Sequence, residues 1–170
     1  MNNITQVPHV NFRVRELGDW VDTNTDTYFK GKKVVVFSLP GAFTPTCSNQ
    51  QLPGFEKQAD VFKAHGIDEI YCMSVNDSFV MNAWANNEDI KNIKVIPDGS
   101  GEFTRQMGML VKKDDKGFGL RSWRYAMIVN DGIIEKIFEE PGKSDDCTTD
   151  PYGESSPENV LQWLETGRNN

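Results

Sequence analysis

The residues of this sequence that can do chemistry gather at Cys47, at the end of Pro40-Gly41-Ala42-Phe43-Thr44-Pro45-Thr46-Cys47. An apolar, β-branched run from Lys33 to Leu39 leads into this segment, and Ser48-Asn49-Gln50-Gln51 behind it can open a helix. A cysteine at such a junction meets free backbone N–H groups and the positive end of a helix dipole. Both favour negative charge, and the thiolate is the reactive form of a thiol. A thiolate can attack one oxygen of a weak O–O bond and expel the other, leaving a sulfenic acid. The step requires an in-line pocket and donors for the departing oxygen. Thr44 precedes Cys47 by one turn if the segment is helical, so its hydroxyl can reach the sulfur or a molecule bound beside it. Pro40 has no N–H and a fixed φ, so it can shield the pocket and shape the turn. An ionised sulfur needs no separate general base.

A second positive group is needed to hold the thiolate, and Arg124 is the expected one. In Trp123-Arg124-Tyr125-Ala126-Met127-Ile128-Val129, strand alternation puts Arg124 on one face with Ala126 and Ile128. It puts Arg121 on the opposite face with Trp123 and Tyr125. An arginine among apolar neighbours needs an anion. Each residue also has a plainer reading. Cys47 can be an inert buried thiol. Thr44 can serve only as a helix cap. Arg124 can be an exposed strand residue paired with Glu135 or Glu139 across a hairpin.

The elements that must position these groups follow from hydrophobic pattern and turn chemistry. Val34 to Ser38 is continuously apolar and predicts a buried central strand. A helix is predicted from Cys47 to His65, with Phe55, Ala59 and Phe62 on its core face and Pro53 breaking or kinking its early part. Ile70 to Val75 predicts a second strand, Asn76-Asp77-Ser78 the cap of a helix through Trp84, and Lys94 to Pro97 a third strand. Ser122 to Val129 and Ile133 to Phe138 read as a hairpin across Asn130-Asp131-Gly132. Ser156-Pro157 opens a last helix carrying Val160, Leu161 and Leu164. This order predicts an α/β fold, a mixed central sheet with helices on both faces, in one domain over residues 1–170.

Composition narrows the function classes. The chain has 170 residues, 38% hydrophobic and 11% aromatic, enough for a core without disulfide staples. Its formal net charge of -7 argues against nucleic acid or an anionic membrane as partner, since both need a basic patch. The start Met1-Asn2-Asn3-Ile4 lacks the basic and apolar regions of an export signal. No apolar run approaches the roughly 20 residues that cross a bilayer. Cys47, Cys72 and Cys147 show no CxxC or CxxH spacing, so no disulfide framework, metal cluster or cofactor is expected. A reducing cytoplasm fits this cysteine usage.

Pro40, Thr44 and Cys47 match the PxxxTxxC signature of the peroxiredoxins, and the wider string resembles their atypical peroxiredoxin 5 group. Ser74-Val75-Asn76-Asp77, Pro97-Asp98-Gly99 and Arg124-Tyr125-Ala126-Met127 are similar to that group as well, so the likeness runs from about Val34 to Leu164. The resemblance extends to the peroxiredoxin domain of peroxiredoxin–glutaredoxin hybrids. It implies a thioredoxin-like fold, reduction of hydrogen peroxide and organic hydroperoxides, a pocket arginine at Arg124, and a homodimer using surfaces around the active-site helix. It also implies a reductant: glutathione with glutaredoxin, or thioredoxin.

Cys72, in an apolar strand, is expected to be a packed core thiol. Cys147 lies in a polar loop, and some members of the group resolve their sulfenic acid with a cysteine in a comparable place. Asp145, Asp146 and Asp150 are expected to raise its pKa and slow it as a nucleophile. Two other functions remain open at this level. A thioredoxin-type disulfide oxidoreductase normally needs CxxC, where this chain has Thr44 at the earlier position. A redox relay would oxidise at Cys47 and pass the signal to a partner without turnover.

Overall fold

The computed structural model describes residues 4–166. Strands β1 (Asn11–Glu16) and β2 (Asp19–Asn24) form an antiparallel hairpin that feeds helix α1 (Thr25–Phe29). The Asn24 side chain caps α1 through Asp26 N–H, and Thr27 returns the bond to Asn24 N–H. Strand β3 (Lys33–Leu39) is the middle of a five-stranded sheet. Its parallel neighbour is β4 (Glu69–Ser74), which pairs in turn with β5 (Ile93–Pro97). On its other side β8 (Tyr125–Asn130) and β9 (Ile133–Glu139) run antiparallel.

Burial on both faces explains the unbroken apolar run of β3. Val35, Phe37 and Leu39 enter one core with Cys47, Phe55, Phe62 and Trp84. Val34 and Val36 enter the other with Phe29, Phe103 and Met107. Helices α2 (Leu52–Lys57), α3 (Ala59–Ala64), α4 (Ser78–Asn87) and α6 (Pro157–Glu165) cover the first face, and α1 and α5 (Glu102–Gln106) the second. Phe55 stacks on Phe37 at 4.1 Å between ring centroids and on Phe62 at 5.6 Å, which locks the helix carrying Cys47 to the central strand. Truncating such a ring costs about 3–5 kcal/mol.

Two boundaries differ from the sequence expectation. The helix after Cys47 is interrupted at Gln58 (φ -96°, ψ 7°), not at Pro53. Pro53 lies inside a winding that runs unbroken from Pro45 to Lys57, and the wider turn just before it makes room for a residue without an N–H. The winding departs just upstream, where Cys47–Gln51 is a π-turn whose bond runs from Leu52 N–H to Cys47 O. The hairpin strand also begins later than expected. Ser122 ends a separate strand, β7 (Leu120–Ser122), paired with β6 (Leu110–Lys112). Trp123 and Arg124 lie between β7 and β8, held by Trp123 N–H to Met109 O at 2.7 Å and Trp123 Nε1 to Glu140 O at 2.8 Å. The Asp131-Gly132 turn forms as expected, with φ of 49° and 82°.

Candidate active site

The segment from Pro40 to Cys47 is shaped by bonds at its entry and a reversal in its middle. Asn76 Oδ1 accepts from Ala42 N–H at 3.0 Å and from the Ser74 hydroxyl at 2.7 Å, tying the loop after β3 to the end of β4. This is the physical role of the Ser74-Val75-Asn76 string. Phe43 has φ 65°, a left-handed conformation that bulky residues rarely adopt, and its ring is exposed. Beyond this reversal Thr44 Oγ1 donates to Gly41 O at 2.7 Å. Its proton is thereby committed, so toward the pocket the hydroxyl offers lone pairs: it can accept from a peroxide O–H.

Pro45 and Thr46 are helical, and the first helical bond is Ser48 N–H to Thr44 O at 2.9 Å. The N–H groups of Thr46 and Cys47 therefore precede any carbonyl the helix can offer them. Trp84 Nε1 donates to Ser48 Oγ at 2.9 Å and anchors this turn to α4. Cys47 is fully buried.

Arg124 supplies the opposing charge. Its Nη1 lies 3.5 Å from Cys47 Sγ and also donates to Gln51 Oε1, while Nη2 donates to Asp150 Oδ1 at 2.7 Å. The side chain is 2% exposed, so the guanidinium is a buried cation held by an anion, an amide and the sulfur. Burial works against its charge, but Cys47 and Asp150 outweigh burial and raise its pKa above the ordinary arginine value. Burial would likewise raise the Asp150 carboxyl. The Arg124 hydrogen bond and charge, with help from Thr46, hold it below the usual carboxylate range. The chain just after Asp150 is anchored by Glu140, buried at the end of β9, whose carboxylate accepts from the N–H groups of Gly153, Glu154 and Ser155 and from the Ser155 hydroxyl.

Above this cluster opens a cavity of about 280 Å³. Pro40, Pro45 and Phe118 form its apolar walls, and Thr44, Arg124 and Asp150 its polar ones, with Lys113 and Lys116 along one side. The structure thus brings Pro40, Thr44 and Arg124 together around Cys47. Alternation correctly grouped Arg124 with the Cys47 side of the sheet, and its anion is Asp150. Glu135 and Glu139 pair instead with Lys33 and Lys143.

Arg121 departs from the expectation of an opposite face. Its Nη1 donates to Pro40 O at 3.1 Å and its Nε to Phe118 O at 3.2 Å, so it braces the pocket rim. Alternation does not carry across the break at Trp123 and Arg124. A Cβ at Gly41 would meet this guanidinium, so a larger residue there requires Arg121 to shift. Gln51 was also missed, although its spacing of four from Cys47 puts both on one helical face.

Cys47 and Cys147 sit in different layers. Cys47 belongs to the core under α2 and α3, and the half-buried Cys147 packs against the other core. The expected pKa effect of the acidic neighbours is reversed. Asp145 accepts from Lys112 N–H at 2.8 Å, Asp146 from Asp115 N–H at 3.1 Å, and Asp150 faces Arg124. Hydrogen bonding from Thr149, then from Ser144, and the charge of Lys113 bring the Cys147 thiol below its ordinary value. Cys72 is a core thiol as expected, and burial, then proximity to Cys47, pushes its pKa well up.

The Redoxin family model matches residues 5–154. A peroxiredoxin of Rhizobium etli is 60% identical over 168 residues, covering 94% of each chain. The chain belongs to the peroxiredoxins. Within that family it is 53% identical to the hybrid peroxiredoxin hyPrx5 of Haemophilus influenzae, over 94% of this chain and 64% of that protein. This peroxiredoxin superposes on the structure of reduced Prx3 from Vibrio vulnificus in complex with H2O2 with a TM-score of 0.84, at 36% identity over 94% and 96% of the two chains. Its fold is thioredoxin-like, and membership places it among the thiol peroxidases.

Proposed function

We propose that this peroxiredoxin reduces hydrogen peroxide and organic hydroperoxides with Cys47 as the attacking sulfur. The observation that carries the reading is a buried guanidinium against Cys47 Sγ beneath a cavity walled by Pro40 and Thr44. In the step, the sulfur lone pair forms an S–O bond to the near peroxide oxygen. The O–O electron pair leaves on the far oxygen, which takes a proton and departs as water or an alcohol. Thr44, as acceptor, orients the peroxide hydrogen, and Arg124 stabilises the charge passing from sulfur to oxygen. Cys47 is left as a sulfenic acid.

A thiol reductant then regenerates the sulfur. Likeness to a hybrid peroxiredoxin supports glutathione with glutaredoxin, and thioredoxin is the alternative. Resolution by Cys147 is a second reading, favoured by the hydrogen bonds and lysine that lower its pKa. Cys47 is buried in one core and Cys147 packs against the other, so this route calls for the two sulfurs to be brought together, a disulfide holding its Cα atoms within about 7 Å. A homodimer through the exposed Phe43 and Phe79 and a cytoplasmic setting for three free thiols complete the proposal.

The test is peroxide consumption with glutaredoxin and glutathione. Cys47→Ser is expected to abolish turnover, whereas an active Cys47→Ser protein refutes the assignment. Mass spectrometry after one equivalent of peroxide separates the routes: a Cys47–Cys147 link, a sulfenic acid or a glutathione adduct. Oxidation of Cys47 without turnover under any reductant would mark a relay.

A further inference from the structure

The cavity over Cys47 holds a cation whose charge the reaction above does not use. Lys113 follows β6, with its backbone N–H bonded to Gly119 O at 2.8 Å and its own carbonyl accepting from Phe118 N–H at 3.0 Å. Its side chain lines the cavity, yet the residue is only 2% exposed. The other charges of the cavity are engaged. Arg124 holds Asp150, and Lys116 Nζ lies 3.0 Å from Asp115 and 3.2 Å from Cys147 O. Lys113 forms no ion pair among the described residues; its ammonium sits 5.6 Å from the centroid of the Trp123 ring. Burial, then the nearby Lys116, draws its pKa below the ordinary lysine value, and Asp150 and Cys147 oppose this. A buried cation without an anion is costly and favours any ligand that brings one. The cavity is therefore locally positive on a chain of net charge -7, with apolar walls from Pro40, Pro45 and Phe118.

We propose that Lys113 is a specificity-determining residue that binds the carboxylate of anionic organic hydroperoxides while their peroxide group meets Cys47. An apolar body with a carboxylate at one end matches walls of proline and phenylalanine beside one ammonium that no carboxylate pairs. The inference rests on the peroxidase reading. Glutathione also carries carboxylates, so the oxidative step must be measured alone.

The experiment mixes the reduced full-length protein rapidly with linoleic acid hydroperoxide, its methyl ester or hydrogen peroxide, without reductant, and follows Cys47 oxidation. The readout is the ratio of the acid rate to the ester rate. The wild type is expected to favour the acid on the order of tenfold, the scale of one charge-assisted hydrogen bond. Lys113→Met should bring the ratio toward unity and Lys113→Arg should retain most of it. Added salt should lower the wild-type ratio and leave that of Lys113→Met unmoved. A wild-type ratio near unity, or the same high ratio in Lys113→Met, overturns the proposal. In a separate measurement glutathione is added to the oxidised protein, and a Lys113→Met defect confined to that step overturns the proposal and assigns the ammonium to the reductant. Failure of the wild type to oxidise Cys47 with hydrogen peroxide would instead overturn the peroxidase reading itself.

Discussion

Removing the charge of Arg124 while keeping its bulk isolates what the guanidinium contributes. At 3.5 Å from the sulfur, with an effective dielectric of about 20, it is worth up to about 5 kcal/mol against a thiolate. The guanidinium also serves Gln51 and Asp150, and the net value of such a charge-assisted contact is about 2–3 kcal/mol. Arg124→Met should therefore slow oxidation of Cys47 by hydrogen peroxide about 30- to 150-fold. Arg124→Lys keeps the charge but cannot serve Cys47, Gln51 and Asp150 at once, so its rate should fall between the two. Stopped-flow tryptophan fluorescence suits the measurement, because Trp84 bonds the residue after Cys47 and Trp123 adjoins Arg124. Thermal unfolding of each variant guards against a rate lost to misfolding. An Arg124→Met protein that is folded and reacts within threefold of the wild type would refute the electrostatic account.

Three further outcomes are expected. Thr44→Val should lower the same rate constant about 100-fold, the scale of one positioned hydrogen-bonding group, and Thr44→Ser should restore most of it. Asp150 has a carboxyl held below its unfolded-state value, so it stabilises the fold above about pH 3.9 and the contribution fades as pH falls through the folded value. Asp150→Asn should accordingly cost about 1 kcal/mol at pH 7, discounted for a side chain 40% exposed. In urea titrations that gap should close as the pH is taken below about 3.9. Gly41→Ala should drive Arg121 off the Pro40 carbonyl and cost about 1.5 kcal/mol, the low end for one hydrogen bond to a charged group. Adding Arg121→Ala to it should then cost little more, and a double-mutant cycle checks the coupling.

Local pattern was informative wherever a residue's environment depends on its near neighbours. The double-sided burial of Val34 to Ser38, the Asp77 and Ser156 caps and the Asp131-Gly132 turn were legible because period, cap chemistry and positive φ are local properties. The Pro40, Thr44 and Cys47 spacing was legible for the same reason, being contained within one loop and one helical turn. Arg124 was legible on weaker grounds, since alternation gave its face but not its partner. Arg121 lies on the other side because the strand is interrupted at Trp123 and Arg124, an interruption that only the pairing of β6 with β7 reveals.

Cys147 shows the limit most clearly. Three acidic neighbours in sequence suggested a thiol pushed up, yet in the fold two of those carboxylates are turned to backbone N–H groups and the third to Arg124. What then faces the sulfur is Thr149 and Lys113, and the shift reverses. The sequence alone determined that one sulfur sits at the start of a helix behind a buried strand, with a hydroxyl one turn away. The tertiary structure alone decided which charges meet that sulfur and its cavity, because Arg124, Asp150 and Lys113 arrive from separate segments. Charges separated along the chain interact through space, and their sign at a site is set by which of them the packing leaves unpaired.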